Sequence, residues 1–516
     1  MIRTAIAAAF LASSSLALAQ QDTAGTADMA EAANMAGERV GTQQMVFETG
    51  IEGAAHASFL RGLALLHNFE YSRAAEAFRT SQAADPDFVM AYWGEAMTHN
   101  HPLWERQDRD AALAALAKLA PTPDARREKA RGKREAQWLD AVETLFGTAG
   151  GGEPKERRDH LYLEKMRALL ASDPADIDAR AFTGLAILGT SHGGRQIPIY
   201  MEAAGLLEPG FITHQRHPGI LHYLIHSYDD PAHAPLGERQ AQRYAQVAPD
   251  AGHAQHMVSH IFHALGDWDA SEAANINAVA VVDRQRIARG QQPAFCGHYN
   301  EWLAYALLQQ GKDASTIVEG CREEAIEAIA RGSDRRLGFG AASSYGSIAL
   351  WNGAATGKWP EPMTIEGGGF LLARFDLATA RLLANRDDAT AIAPALDDLR
   401  SLAKEIGRVM ASEDSLNTYV EPWMARQVAQ GEALLALASG RTEEALSMLN
   451  IAGEAEKALP EVFGPPPMAM PSYELLGLQL LELGREEEAA QAFENALAFA
   501  PGRKVSLEGL EMARAD

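Results

Sequence analysis

The sequence predicts an all-α solenoid, in which helix hairpins repeat at about 34 residues along a chain of 516. Leu, Ala, Glu and Arg are abundant while Val and Ile are sparse, so strands have little to be built from. Apolar residues recur at three- and four-residue spacing, as in Tyr473, Leu476, Leu480 and Leu483, which puts them on one helix face. The length exceeds what one compact core organises, and a repeat array resolves that by stacking units that each touch only their neighbours.

In chain order, residues 1–19 read as a signal peptide: Arg3, an apolar stretch from Ala5 to Ala12, and Ala17-Leu18-Ala19 before Gln20. No later apolar run reaches the roughly 20 residues of a transmembrane helix. The chain is therefore expected to be exported, either periplasmic or secreted, and its alanine-rich, lysine-poor composition points to a bacterial periplasm. Residues 20–44 lack periodicity and read as a flexible lead-in. Residues 45–352 form the N-terminal and central solenoid, 353–369 a Gly- and Pro-rich linker or long loop, and 370–516 the C-terminal hairpins. Gly147 to Pro154 and Gly464 to Pro467 mark shorter breaks.

The C-terminal repeat has the cleanest register. Tyr473, Leu476, Gly477, Leu480, Ala489, Phe493, Ala496 and Pro501 fall at positions 4, 7, 8, 11, 20, 24, 27 and 32 of a 34-residue unit. Near the other end Gly62, Leu65, Ala74, Phe78 and Pro86 take positions 8, 11, 20, 24 and 32. This pattern resembles the tetratricopeptide repeat (TPR), clearly at both ends and with insertions between. The resemblance implies a right-handed superhelix of TPR-like hairpins with a concave inner face.

The formal charge of -23 argues against nucleic acid and anionic membranes as partners, since both reward clustered positive charge. The basic run from Arg126 to Arg134 alternates with Glu128 and Glu135 and reads as a solvated helix face. Cys296 and Cys321 form a disulfide or stay as two thiols, and spacing alone leaves both open.

Sixteen histidines are present, and eleven lie between His192 and His298. With Pro249 at position 32, His222 and His226 occupy positions 5 and 9 of one repeat. In the next, His253, His256, His260 and His263 occupy positions 2, 5, 9 and 12, which share an arc of about 80° on the helix. The pairs His222/His226 and His256/His260 are 34 residues apart, so they stand side by side in a solenoid. In the tetratricopeptide family that face lines the concave groove. The expected metal ligands are accordingly His222, His226, His256 and His260, with Zn(II) or Cu(II) as the ion suited to an all-imidazole set. Convergence on one ion requires tight curvature of the superhelix. Groove positions of second rank are His253, His263, Asp229, Asp230, His298, His99 and His101. His217-Pro218-Gly219 reads as a helix start, because Pro218 suits a first turn. Trp93, Trp104, Trp268 and Trp302 read as packing, and Asn275 and Asn277 face either the groove or solvent.

The segments His217 to His226, His253 to Phe262 and Ala91 to Met97 resemble a histidine-rich group of exported bacterial tetratricopeptide proteins, over about residues 55 to 310. That resemblance implies fold and export and names no reaction. Neither pair reads His-Glu-x-x-His, since residue 223 is Tyr and 257 is Met, so a zincin base is missing. No Gly-x-Ser-x-Gly or phosphate-loop lysine is present. Three functional readings follow: a groove that binds a metal, a metal-bearing molecule or a peptide; a scaffold for a protein partner; and a metal-dependent enzyme. The bland alternative is a set of buried histidines that hydrogen-bond one another and nearby carboxylates.

Overall fold

A computed structural model describes residues 37–147, 152–333, 336–412, 420–459 and 464–515. The expected signal peptide and the lead-in as far as residue 36 lie outside the described residues. The described chain is all-α, with helices packed in successive pairs. Its sheet is a two-residue antiparallel pair, β1 (Asn100–His101) with β2 (Arg106–Gln107). Among the described residues no helix is long and apolar enough to cross a membrane.

The first half carries α1 (Ala54–His67), α2 (Tyr71–Ala84), α3 (Val89–Met97), α4 (Arg109–Leu119), α5 (Pro123–Arg127), α6 (Lys133–Phe146), α7 (Lys155–Ser172), α8 (Ile177–Leu188), α9 (Ile197–Thr213), α10 (Pro218–Ser227), α11 (Ala234–Val247) and α12 (Gly252–Leu265). The second half follows with α13 (Trp268–Ala288), α14 (His298–Gln309), α15 (Ser315–Arg331), α16 (Ala341–Thr356), α17 (Leu371–Ala384), α18 (Ala389–Ser412), α19 (Val420–Ala438), α20 (Thr442–Glu456), α21 (Ser472–Glu482), α22 (Glu486–Phe499) and α23 (Lys504–Arg514).

The repeat signature has a direct packing cause. Phe493 is fully buried, and its ring lies where a Cβ on Gly477 or on Gly509 of the next helix would sit, at 2.7 and 2.3 Å. Phe78 is wedged in the same way between Gly62 and Gly94. In these two repeats one large side chain keys the hairpin to the next helix, and only glycine leaves it room. Several first helices end in a residue of positive φ that lets the chain reverse: Gly266 at 72°, Gly311 at 69°, Gly440 at 77° and Gly484 at 68°. After Gly266, Asp267 N–H bonds Phe262 O and Gly266 N–H bonds His263 O, closing the helix end.

The solenoid curves tightly enough for its first turn to close. Helix α10 packs against α1, and a Cβ on Gly219 would meet the His67 ring at 2.3 Å. The segment before α1 ties the closure: Arg39 N–H donates to Asp250, and Asn68 donates to Val40 O at 2.8 Å. The end of the stretch read as a lead-in, residues 37–44, is therefore packed, with Val40 fully buried. The stretch read as linker from residue 353 begins inside α16, where Trp359 folds back over Gly353. Cys296 and Cys321 form a disulfide that ties the loop before α14 to α15.

Candidate metal centre

The histidines of the central repeats face the interior of the superhelix, and among the described residues that space is filled. His222 and His256 are fully buried, and His226, His253 and His260 are nearly so. Two side chains fill the expected concavity. Phe69, at the end of α1, lies 4.3 Å from the His222 ring and 5.6 Å from the His253 ring between centroids. Trp302 of α14 lies 4.7 Å from His256 and 4.3 Å from His260. The loop at Gly464 closes over Trp302, so a segment expected to be a plain break covers the site.

The four predicted ligands do not converge on one point. They divide between two clusters in which each ligand atom lies within 4.8 Å of the others: His222, His226 and His253, and His256, His260 and His298. The two pairs meet at one place, where His226, Asp229 and His260 lie within 4.8 Å of one another, while His222 and His256 stay outside that group. Each i, i+4 pair instead recruits the histidine that begins the next first helix, His253 in α12 and His298 in α14. The clusters touch where His226 approaches His260, at 5.5 Å between ring centroids.

Hydrogen bonds fix the ring tautomers. Asn275 donates to Ser271 O at 2.8 Å, so its Oδ1 faces His256 and accepts from His256 Nδ1–H at 2.7 Å. His260 Nδ1–H donates to the Asp229 carboxylate at 2.5 Å. Both Nε2 atoms are thereby turned toward each other, 3.1 Å apart. In the other cluster His222 Nδ1–H donates to His67 O at 2.6 Å, which leaves its buried Nε2 without a partner, and His253 Nε2 is also buried without one. Burial disfavours the charged form throughout. It pushes His222 down to about 3 and holds His226, His253 and His256 well below the ordinary imidazole range. Burial thus favours the neutral form of these four rings.

A third buried histidine cluster has the opposite character. His67 Nε2–H and His217 Nε2–H both donate to Asp178 Oδ1, at 3.1 and 3.3 Å. His67 Nδ1 accepts from Tyr223 OH at 2.9 Å, and His217 Nδ1 accepts from Ile220 N–H as the cap of α10. Every ring nitrogen is used, so this cluster is structural, and His217 marks a helix start as its Pro neighbour implied. Burial lowers His67 to about 4; Asp178 is held well below the carboxylate range by its two imidazole donors despite burial.

The second-rank residues separate. His253 and His298 join the clusters, and Asp229 supports His260 from behind. Asp230 is taken by Arg195 at 2.7 Å and His233 at 2.7 Å. His263 stacks on Tyr305 at 5.3 Å and borders a cavity of about 390 Å³ shared with Asp229, Arg195 and the C-terminal residues Tyr473 and Arg503. His99 and His101 do not reach either cluster; they line a polar cleft of about 1170 Å³ with Tyr71 and Arg106. His101 stacks on Tyr71 at 3.9 Å. Asn275 reaches the site and Asn277 is exposed. Trp93 packs in the core at 5.0 Å from Trp138, as expected.

Sequence reading missed Phe69. It has φ 56°, the left-handed position that glycine fills after other first helices, and Glu70 N–H to Leu65 O closes the same helix end. A non-glycine residue there costs about 1–2 kcal/mol. The only signal is the absence of the glycine that the repeat leads one to expect.

No family model and no curated protein sequence matches the chain. Among solved structures, the P58(IPK) TPR domain aligns over 90% of this chain and 98% of that one, at 14% identity and a TM-score of 0.22. Yeast Tom70 aligns over 89% and 94%, at 13% identity and a TM-score of 0.25. The chain is a TPR-like all-α solenoid on the evidence of its own hairpins, and these likenesses add nothing about ligand or partner.

Proposed function

We propose that this is an exported metal-binding α-solenoid that holds Zn(II) or Cu(II) on buried imidazoles, with His256, His260 and His298 the best-formed set. The observation that carries the reading is the 3.1 Å approach of His256 Nε2 to His260 Nε2 when both Nδ1 positions are committed to acceptors. Two imidazole nitrogens that face each other at that distance need a cation between them, either a proton or a metal ion. A proton joins two nitrogens, whereas a divalent ion joins three, and His298 belongs to the same cluster. Two nitrogens on a tetrahedral zinc, each at about 2.0–2.1 Å, lie roughly 3.3 Å apart, close to the separation here. Asn275 and Asp229 supply the outer hydrogen bonds that orient metal-bound imidazoles and raise their basicity.

A three-imidazole ion keeps one coordination position for water or a ligand. His298 is the exposed member of the set, so that position faces the solvent side. Export is supported by the signal-peptide pattern and by the Cys296–Cys321 disulfide, which suits an oxidising compartment. A peptide ligand along the histidine face is disfavoured by Phe69 and Trp302, which occupy that space.

Elemental analysis of the purified chain tests the proposal. Stoichiometric zinc or copper is expected, or uptake of either ion by chelator-treated protein. Metal-free protein that takes up neither ion removes the metal reading.

A further inference from the structure

The ligand pattern itself repeats with the solenoid. In each cluster an i, i+4 pair on one first helix is completed by a histidine at the start of the next: His222 and His226 with His253, then His256 and His260 with His298. The first cluster has its own orienting bond, from His222 Nδ1–H to the His67 carbonyl, made possible because the first turn of the superhelix closes α1 onto α10. It also holds two buried imidazole nitrogens, His222 Nε2 and His253 Nε2, with no protein partner. A buried polar atom left unsatisfied costs about 1–3 kcal/mol, and two of them aimed into one cluster of ligand atoms within 4.8 Å call for something that binds lone pairs. Contrast the His67–Asp178–His217 cluster nearby, where every ring nitrogen has found a protein partner.

We infer that the chain carries a two-ion centre, with a second divalent ion on His222, His226 and His253 beside the one on His256, His260 and His298. The inference rests on the metal reading above and deepens it. The clusters are in ring contact, through His226 and His260 at 5.5 Å and through His253 and His256 at 5.8 Å. Asp229 lies between them, bonded to His260 and grouped with His226 within 4.8 Å. The two ions are therefore neighbours, and the second is enclosed under Phe69 while the first faces solvent through His298. Imidazole-only sets select zinc or copper for both positions over calcium or magnesium, which take oxygen ligands.

The experiment is an ion count on the full chain. Chelator-stripped protein is loaded with Zn(II), washed over a weak chelating resin to clear surface carboxylates, and measured by plasma mass spectrometry against amino-acid analysis. Two zinc ions per chain are expected. His253→Leu and His298→Leu are each expected to bind one, and the double variant none. One ion in the wild-type chain overturns the two-ion centre and leaves the single-ion reading standing. No ion removes both. His253→Leu that folds, by circular dichroism, and still binds two ions also overturns the second site. Should the variants fail to fold, the wild-type count decides alone.

Discussion

The C-terminal repeat and the histidine-bearing repeats share one scaffold and differ in how the buried ion pair of one and the buried imidazoles of the other are partnered. In the first, the buried Arg503 donates to both Glu474 oxygens at 2.6 and 2.7 Å, and to Tyr305 OH and Ala469 O; Ser506 completes Glu474. Both of these buried charges have partners inside the protein. In the second, from α10 to the start of α14, the Nδ1 atoms of His222, His256 and His260 are tied down, His256 Nε2 meets His260 Nε2, and the Nε2 atoms of His222 and His253 have no partner. Burial in the C-terminal repeat is structural closure. In the histidine repeats, two buried imidazole nitrogens, His222 Nε2 and His253 Nε2, are left without a protein partner.

The largest expected effect breaks the closed side of this comparison. Arg503→Met leaves Glu474 buried and uncompensated, and should cost about 3–5 kcal/mol in urea unfolding. A loss below about 1 kcal/mol would show that Glu474 is satisfied without the guanidinium. On the open side, saturating zinc at about 100 times its Kd should add roughly 2.7 kcal/mol to unfolding free energy, reversed by chelator. His253→Leu/His298→Leu, which lacks a ligand of each set, should show no such response. A zinc-induced gain of the same size in that variant would move the site elsewhere.

How much of this was legible in the sequence follows from what each feature depends on. The hairpins were, because Gly477 and Phe493 are fixed by contacts inside one repeat and its neighbour, and those contacts recur at a constant spacing. The histidine face was legible for the same reason. The division into two clusters was not, because it depends on His253 and His298 entering from helix starts, which spacing within a repeat does not encode. Nor was the filled concavity, since Phe69 arrives from about 150 residues away through closure of the first turn. Asp178 was invisible for a related reason: it joins His67 and His217 across three separate helices.

The pH response sharpens the comparison next. Glu456, beside the 390 Å³ cavity, is held by Ser472 with no cation bonded to it, and burial pushes its carboxyl from the ordinary 4.5 up to about 7. A raised folded value means that the native state binds more protons than the unfolded chain between pH 4.5 and 7. Its contribution therefore falls as pH rises through that window and is fully lost above it. Glu456→Gln should gain stability relative to wild type at pH 8 compared with pH 5, by up to roughly 3 kcal/mol, the interval between the two values. Equal differences in thermal midpoint at both pH values would show that the carboxyl titrates normally.

The smallest effect tests the open side most finely. His253 Nε2 has no partner, so His253→Leu in metal-free protein removes a polar atom that gains nothing from its surroundings, and Leu keeps similar volume against Phe69 and His222. The expected change in metal-free stability is within about 1 kcal/mol, of either sign. In zinc-loaded protein the same change should cost more, because it withdraws a ligand. Equal costs with and without zinc would mean that His253 is part of the closed architecture after all, and the contrast between the two regions would then narrow to His256, His260 and their neighbours.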